Sequence, residues 1–319
     1  MDIIKSEVEL PGGSQGVFNA FVLLFIALIG FIIIGPLIGF VIGIPFYSQD
    51  LISLQNTLAD PSSSPDGKTL LYFLQAGSTL GMVLVPLIYV KSKMHIPVKA
   101  FFANPLSIIG LGLAGIITFT FMGFNSLIIE WNANVNLPEF LSGFEQWAQE
   151  KEQMAAELTG FLATFDSNAQ FIVALFIMAV FPAIAEEFVF RGLVQNRLSK
   201  GIGNAHWAIW ISAALFSGIH MQFFGFFPRM FLGALFGYLY LWSGNLLIPI
   251  FAHFVNNAFT LCMIYFYSEE IVAYDIQNSD PPELPAVLLF TIITSGLIFY
   301  FRKHYQTINS KDGSMAKGV

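Results

Sequence analysis

The stretch FIVALFIMAVFPAIAEEFVFRG, residues 171–192, decides the fold of this chain because it places charged residues inside an apolar segment. Glu186, Glu187 and Arg191 form an EExxxR pattern there. Charged side chains are costly at membrane depth, so they usually face a protein interior and serve a function. The stretch therefore indicates a helical membrane protein with a polar site inside its bundle.

The composition agrees with a membrane protein and excludes several other classes. Of 319 residues, 55% are hydrophobic and 11% are charged, with a mean hydropathy of +0.69. Soluble domains carry about 25% charged residues. The net charge of −7 argues against nucleic acid as a partner, since no basic surface would neutralise phosphates. The single cysteine, Cys262, excludes an internal disulfide framework and a multi-cysteine metal site.

Apolar segments predict an all-α, polytopic integral membrane protein. A helix needs about 20 apolar residues to cross the hydrocarbon layer. We expect about eight transmembrane helices, of which the fifth and sixth are short. They cover roughly residues 17–44, 70–90, 105–128, 169–190, 206–220, 229–242, 246–267 and 284–301.

The basic residues predict the orientation, because Lys and Arg are enriched in cytoplasmic loops. With both termini cytoplasmic, the outer side holds three of the 14 basic residues, namely Lys68, Lys151 and Arg229. The other eleven fall on the cytoplasmic side: Lys5, Lys91, Lys93, Lys99, Arg191, Arg197, Lys200, Arg302, Lys303, Lys311 and Lys317. We therefore expect cytoplasmic N- and C-termini.

Three regions follow from this order of segments. Residues 1–168 are expected to form an N-terminal three-span region with an outer amphipathic helix, 169–267 a catalytic core, and 268–319 an outer loop, the last span and a cytoplasmic tail. Residues 45–69 are read as a turn-rich surface connection. The amphipathic helix is expected at 138–165, where apolar residues recur every three or four positions among glutamates. Packing on the bundle and gating of substrate both remain open as its role.

Two further apolar segments carry histidines, in Phe216-x-x-x-His220 and His253-x-x-x-Asn257. Each motif alone has a structural interpretation: a hydrogen-bonded core histidine for the first, and an interhelical polar clamp for the second. A lone Glu–Arg pair can likewise anchor the end of a span. An acid pair, two histidines and an asparagine on consecutive spans are poorly explained as separate coincidences. Together they predict a catalytic site.

Helical geometry suggests how these residues meet. Glu187 and Arg191 are spaced i, i+4 as an ion pair, and Glu186 points about 100° away, toward the bundle interior. With a turn at 199–204, Glu186 and His220 both lie roughly 24–27 Å from the hairpin tip and can face each other. The hairpin must then project about 10 Å into the cytoplasm to bring His253 level. We expect the site in the cytoplasmic half of the membrane, reachable by water from the cytoplasm.

The residue types suggest roles in peptide hydrolysis. Glu186, assisted by His220, is suited to activating a water molecule, since a carboxylate in a dehydrated site can take a proton near neutrality. His253 and Asn257 are placed to stabilise the resulting oxyanion, which is worth about 3–4 kcal/mol per donor. Glu187 and Arg191 support the site.

The three motifs, EExxxR, FxxxH and HxxxN in this order, resemble those of the CPBP family of intramembrane glutamic endopeptidases. That family includes the CAAX prenyl proteases and the Abi proteins of bacteriocin processing or immunity. The resemblance covers roughly residues 169–267. It implies a peptidase with about eight helical spans, in which Glu186 and His220 activate water and His253 and Asn257 form the oxyanion hole. It also implies supporting roles for Glu187 and Arg191.

Members of this family have often been labelled metalloproteases, so a metal-dependent version remains open. We expect no cofactor and no metal, because HExxH is absent and no two histidines are spaced i, i+4. The alternative is a zinc site formed by Glu186, His220 and His253.

Two rivals of a different class also remain. One is a non-catalytic immunity or scaffold protein, and the other is a proton-coupled transporter, which the absence of internal repeats disfavours. The expected partners are the lipid bilayer and a membrane-associated peptide or protein substrate, in a bacterial plasma membrane.

Overall fold

The computed structural model describes residues 13–48, 50–273 and 283–311. This part of the chain is an all-α polytopic membrane protein without strands, apart from one isolated bridge between Phe102 and Asn245. Its helices, here α1 to α10, are Gly13–Phe46, Leu51–Ala59, Gly67–Met94, Ile108–Ala133, Ser142–Leu162, Asn168–Ile202, Ala205–Gly218, Phe226–Ser243, Leu247–Ala273 and Leu284–Lys311.

Six of these helices are long and apolar enough to cross a membrane: α1, α3, α4, α6, α9 and α10. They correspond to six of the eight predicted spans. The predicted short spans at 206–220 and 229–242 are helices α7 and α8, with 14 and 18 residues. The fold class is therefore confirmed, while the number of eight spans and the orientation of the termini stay predictions.

Helix α6 is longer than the sequence suggested, and this corrects the turn predicted at residues 199–204. The helix continues to Ile202, and the turn consists of Gly203 and Asn204. Gly203 has φ of +74°, the left-handed conformation that ends many helices and favours glycine. The Asn204 side chain then caps α7 by accepting from the backbone N–H groups of His206 and Trp207.

The predicted surface connection 45–69 also contains a helix that the sequence reading missed. Asp50 caps α2 by accepting a 2.7 Å hydrogen bond from the Ser53 backbone N–H. The amphipathic helix expected within 138–165 is present as α5.

Helices α1 and α3 pack through glycines that let their backbones touch. A Cβ atom added at Gly81 would overlap the Gly30 carbonyl oxygen and lie 2.7 Å from the Gly35 Cα. A Cβ atom at Gly77 would lie 2.6 Å from the Gly39 Cα. Small residues at such crossings allow the close approach on which helix association in membranes depends.

One end of the bundle collects the loops and helix ends at which most of the described basic residues lie. The Asn104 side chain donates to the Ser243 carbonyl oxygen, and the Asn245 side chain donates to the Asn104 carbonyl oxygen. Ser107 and His304 are hydrogen-bonded at 2.8 Å. We call this the basic end.

The opposite end carries helix α5 and the loop between α7 and α8. The Tyr72 hydroxyl donates to the Leu162 carbonyl oxygen, which ties α5 to α3. Asn132, near the end of α4, donates to the Phe223 carbonyl oxygen in the loop. We call this the α5 end.

Some predictions fall outside the described residues. These are the positions of Lys5 and Lys317 on the cytoplasmic side, and most of the outer loop at 268–283.

Candidate functional site

The EExxxR pattern places a buried ion pair on α6. Arg191 Nη1 donates to Glu187 Oε1 at 2.7 Å, and the two side chains are 1% and 0% exposed. The other guanidinium nitrogen, Nη2, donates to the Gly233 carbonyl oxygen of α8 at 2.7 Å. The ion pair expected from the i, i+4 spacing is therefore present, and it also joins two helices.

His253 of α9 completes this cluster. Its Nδ1 lies 2.8 Å from Glu187 Oε1, the oxygen that also accepts from Arg191. Because a carboxylate accepts, Nδ1 carries the proton and donates. The ring stacks on Phe236 at 5.2 Å and meets the edge of Phe216 at 5.9 Å, and Arg191 lies over both of these rings. The ring is thus fixed in position, with Nε2 directed away from Glu187.

Glu186 lies on the other side of His253. Its Oε2 is 3.7 Å from His253 Nε2, which is longer than a direct hydrogen bond. The Glu186 side chain is 18% exposed, whereas that of Glu187 is fully buried. Adjacent acids thus have different surroundings, because one helical step turns them about 100° apart. Glu187 is held by Arg191, and Glu186 faces open space.

That open space is a cavity of about 600 Å³. Glu186, His220, His253 and Asn257 all line it. The structure therefore brings the four predicted catalytic residues to one cavity, with Glu187 and Arg191 directly behind it. No other carboxylate of the described residues lines this cavity.

His220 follows the last turn of α7, and its ring is oriented by the motif in which it lies. Nδ1 is 2.8 Å from the Phe216 carbonyl oxygen, four residues earlier. Since a carbonyl oxygen only accepts, Nδ1 donates and the neutral ring has its lone pair on Nε2. The FxxxH spacing supplies both the carbonyl oxygen and the Phe216 ring, which the imidazole meets at 5.2 Å.

Asn257 reaches a carbonyl group that a proline has released. Met178 lies in a π-helical turn, Leu175–Val180. In a regular α-helix residue 182 would donate to the Met178 carbonyl oxygen, but Pro182 has no N–H. Asn257 Nδ2 donates to this oxygen at 3.5 Å, and Asn257 Oδ1 accepts from Asn256. The HxxxN helix is thereby joined to the acid-bearing helix.

A second π-helical turn, Phe188–Gln195, contains Arg191. Such turns leave carbonyl groups without their regular partners. The Asn196 side chain donates to the Arg191 and Gly192 carbonyl oxygens, and the Ser212 hydroxyl donates to that of Phe190. The Asn196 and Ser212 side chains therefore bond backbone carbonyl groups of this irregular turn and hold it in place.

The residues named for a zinc site are not arranged as one. In the described part of the chain, no group of three or more His, Cys, Asp and Glu residues is close enough to hold a metal ion. His253 has Nδ1 bound to Glu187, so only Nε2 could be a ligand together with Glu186.

Sequence analysis missed several polar residues of the cavity. Arg229, at the start of α8, lines it, as do Asn125 of α4 and Asn256 of α9. Arg229 Nη2 donates to Gln222 Oε1 at 2.8 Å. The available signal was an arginine at the first turn of an apolar segment, which we counted only for topology.

The cavity extends toward the α5 end of the bundle. Leu158, Thr159 and Leu162 of α5 line it, together with Phe224 and Gly225 of the α7–α8 loop. None of the lining residues comes from the loops of the basic end. If the basic end is cytoplasmic, these lining residues place the opening of the cavity toward the other face of the membrane.

Fold and site together define a polytopic helical membrane protein with an acid–histidine cavity inside its bundle. Residues 168–259 match the family model of the type II CAAX prenyl endopeptidase Rce1-like proteins, and the family resemblance is thus confirmed for this segment. That family is one of peptidases.

A curated relative matches a similar length of chain. It is the "Uncharacterized protein YpbD" of Bacillus subtilis (strain 168), 29% identical over 96 residues. The match covers 29% of this chain and 46% of that protein, so this chain spans about half of the relative it matches. No solved structure matches the chain significantly.

Proposed function

We propose that this chain is an intramembrane endopeptidase that hydrolyses a peptide bond of a membrane-associated peptide or protein. The observation that carries the proposal is that the two adjacent glutamates have different surroundings. Glu187 is occupied by Arg191 and His253, whereas Glu186 faces the cavity beside two histidines. A carboxylate free of a fixed cation and facing a cavity is available for proton transfer.

The proposed reaction uses Glu186 as the proton carrier. Glu186 takes a proton from water while the water oxygen attacks the peptide carbonyl carbon. In the tetrahedral intermediate the former carbonyl oxygen carries the negative charge. The carbon–nitrogen bond then breaks, and Glu186 returns its proton to the leaving amine. One water is consumed, one carboxylic acid and one amine are formed, and Glu186 is again a carboxylate.

The histidines and Asn257 act around that step. His220 Nε2, with its lone pair toward the cavity, accepts a hydrogen bond from the attacking water. Asn257 has one amide hydrogen beyond its contact with Met178, and this hydrogen can donate to the oxyanion. His253 Nε2 donates to the oxyanion only when the ring carries both protons, since Nδ1 already donates to Glu187. Each donor is worth about 3–4 kcal/mol.

We propose that water activation needs no metal. Support comes from the spacing of the side chains, since no group of three or more His, Cys, Asp and Glu residues in the described part of the chain is close enough to hold a metal ion. The rival is zinc held by Glu186, His220 and His253. Activity that survives EDTA and phenanthroline supports the metal-free reaction, and activity lost with chelator and restored by zinc overturns it.

We propose a bacterial plasma membrane as the location, with the basic end in the cytoplasm. The cavity then lies toward the non-cytoplasmic face, where α5 covers it. This replaces the expectation of a site in the cytoplasmic half. A substrate would be an exported peptide or the outer part of a membrane protein.

The test is cleavage of a quenched peptide library that includes farnesylated CAAX peptides, with wild-type and Glu186→Gln protein in detergent. The substitution keeps size and hydrogen bonding but removes the base. Its matched control is Glu157→Gln, on the exposed face of α5, which should cleave like the wild type. Cleavage lost only in Glu186→Gln supports the proposal.

The main rival is a non-catalytic immunity or scaffold protein that uses the same residues as a structural network. A cellular effect that persists in Glu186→Gln, with the protein folded and present at wild-type level, would assign that effect to the rival.

A further inference from the structure

Arg229 is the only arginine or lysine among the cavity-lining residues that the structure describes. Its guanidinium is held from one side. Nη2 donates to Gln222 Oε1 at 2.8 Å, and Gln222 Nε2 donates in turn to Glu152 Oε2 of α5 at 2.9 Å. Glu152 Oε1 accepts from the Gly225 N–H at 3.1 Å. This chain of hydrogen bonds fixes where the guanidinium stands.

The second terminal nitrogen of the Arg229 guanidinium, Nη1, has no partner among the described residues. Arg229 Nη1 is buried and makes no hydrogen bond within the described part of the chain. No carboxylate of the described residues lies within ion-pair distance of Arg229, in contrast to Arg191, which is paired with Glu187. Glu152 and Glu186 attract the guanidinium only from beyond ion-pair distance, and the positive end of the α8 dipole increases the local positive potential. The position therefore favours an anionic ligand.

Asn125 adds an unpaired acceptor to the same cavity. Its Nδ2 donates to the Pro228 carbonyl oxygen at 3.2 Å, next to Arg229 in the chain. Its Oδ1 is buried and has no partner among the described residues. A charged donor and an acceptor that both lack a partner and belong to residues lining one cavity match a carboxylate and a nearby peptide N–H.

We propose that Arg229 and Asn125 form a subsite that binds a carboxylate of the substrate, with Arg229 Nη1 on the carboxylate and Asn125 Oδ1 on a peptide N–H. The inference deepens the proposed peptidase function and rests on it. Ile129, Phe224 and Leu232, which also line the cavity, give the subsite an apolar surround. The carboxylate can come from a free C-terminus or from an Asp or Glu side chain.

A binding test keeps this proposal separate from proteolysis. The probes are N-acetyl-leucine and N-acetyl-leucinamide, which differ only in the carboxylate, at pH 7 with the full chain in detergent. Binding is read as the concentration-dependent rise in the unfolding temperature, from which a Kd follows. The Glu186→Gln background is used beside the wild type, so the result does not depend on catalysis.

We expect wild type to bind the acid at least about tenfold more tightly than the amide, as a charge-assisted hydrogen bond implies. Arg229→Gln should abolish this preference, and Arg229→Lys should reduce it without reversing it. Arg302→Gln, an exposed arginine at the basic end, is the matched control and should leave the preference unchanged. Equal binding of acid and amide by wild type overturns the proposal, whether or not the Arg229 variants fold.

A third probe separates the two sources of the carboxylate. N-acetyl-aspartic acid α-amide carries its only carboxylate on the side chain. Binding equal to that of N-acetyl-leucine assigns the subsite to any carboxylate, and binding about tenfold weaker assigns it to a C-terminal one. If these preferences appear but no peptide is cleaved, the subsite stands and the peptidase proposal fails.

Discussion

Glu186 and Glu187 show how much the surroundings of a residue decide its chemistry. They have the same side chain and adjacent positions, yet Glu187 has an arginine and a histidine on one oxygen, and Glu186 faces a cavity. Replacing Glu187 removes one charge of the buried ion pair, and in the proposed reaction replacing Glu186 removes the proton carrier. We therefore expect substitutions of Glu187 to affect mainly stability and substitutions of Glu186 to affect mainly activity.

The buried ion pair gives a stability prediction. Arg191→Met should lower the free energy of unfolding by about 3–5 kcal/mol, because it leaves the Glu187 charge buried without a partner. The double variant Glu187→Gln with Arg191→Met should recover much of that loss, since no isolated charge remains. SDS unfolding of the purified variants measures both. A double variant that loses the sum of the two single losses would contradict a coupled pair.

His220, which follows the last turn of α7, gives an activity prediction. His220→Ala should reduce the cleavage rate by about 10²–10⁴-fold, the usual contribution of an acid–base group. His206→Ala is the control, since its ring is bonded to Tyr238 outside the cavity. Single-turnover rates on a peptide that the wild type cleaves make the comparison. Equal losses in both variants would indicate damage to α7 rather than to the reaction.

At the scale of elements, the glycine contacts between α1 and α3 set the spacing of the N-terminal helices. Backbone atoms of one helix occupy the position that a Cβ atom at Gly81 would need. Helix α5 is different, because it is attached by few hydrogen bonds and is largely exposed. We therefore expect the first contact to be rigid and the second to open more readily.

Gly81→Ala should separate α1 from α3 and lower the free energy of unfolding by about 1–3 kcal/mol, as overpacked contacts do. Gly112→Ala on α4 is the matched control, because no atom lies within 4 Å of its added Cβ. Thermal unfolding in detergent compares them. Equal stability of the two variants would show that the α1–α3 contact adapts without loss.

Glu152→Ala should loosen α5, because Glu152 accepts from Gln222 and Gly225 across the cavity. We expect faster amide hydrogen exchange over Ser142–Leu162. Glu157→Ala, whose carboxylate bonds only within α5, is the control and should leave exchange in that helix unchanged. Unchanged exchange in Glu152→Ala would place the attachment of α5 elsewhere.

For the whole molecule, orientation follows from which loops meet at each end. The basic end and the α5 end are joined by the full length of the bundle, so fixing one fixes the other. The cavity belongs to the α5 end. Charge counting and cavity position together then predict from which side a substrate enters.

Single cysteines introduced in a Cys262→Ser background test this orientation. Lys93→Cys and Lys303→Cys at the basic end should resist a membrane-impermeant thiol reagent in intact cells. Asn134→Cys and Gln153→Cys at the α5 end should react. All four side chains are exposed on the protein surface, so burial within the protein does not explain a difference. The reverse pattern would place the cavity on the cytoplasmic side.

The sequence by itself determined the features that depend on local spacing. Composition and apolar segments gave an all-α membrane fold, and i, i+4 spacing gave the Glu187–Arg191 pair and the shared face of His253 and Asn257. The order of the EExxxR, FxxxH and HxxxN motifs indicated the family whose model matches residues 168–259. Periodicity along a helix fixes which residues share a face, and this is why these predictions needed no tertiary information.

Only the tertiary structure decided which helix each face meets. His253 bonds Glu187, 66 positions away, and its Nε2 lies 3.7 Å from Glu186 Oε2. The sequence predicted that His253 lies level with Glu186 but did not predict its bond to Glu187. Arg229 is held at the cavity by Gln222 of the α7–α8 loop, which is bonded in turn to Glu152 of α5. Helical periodicity carries no information about rotation or tilt between neighbouring helices, because side-chain packing across the bundle sets both.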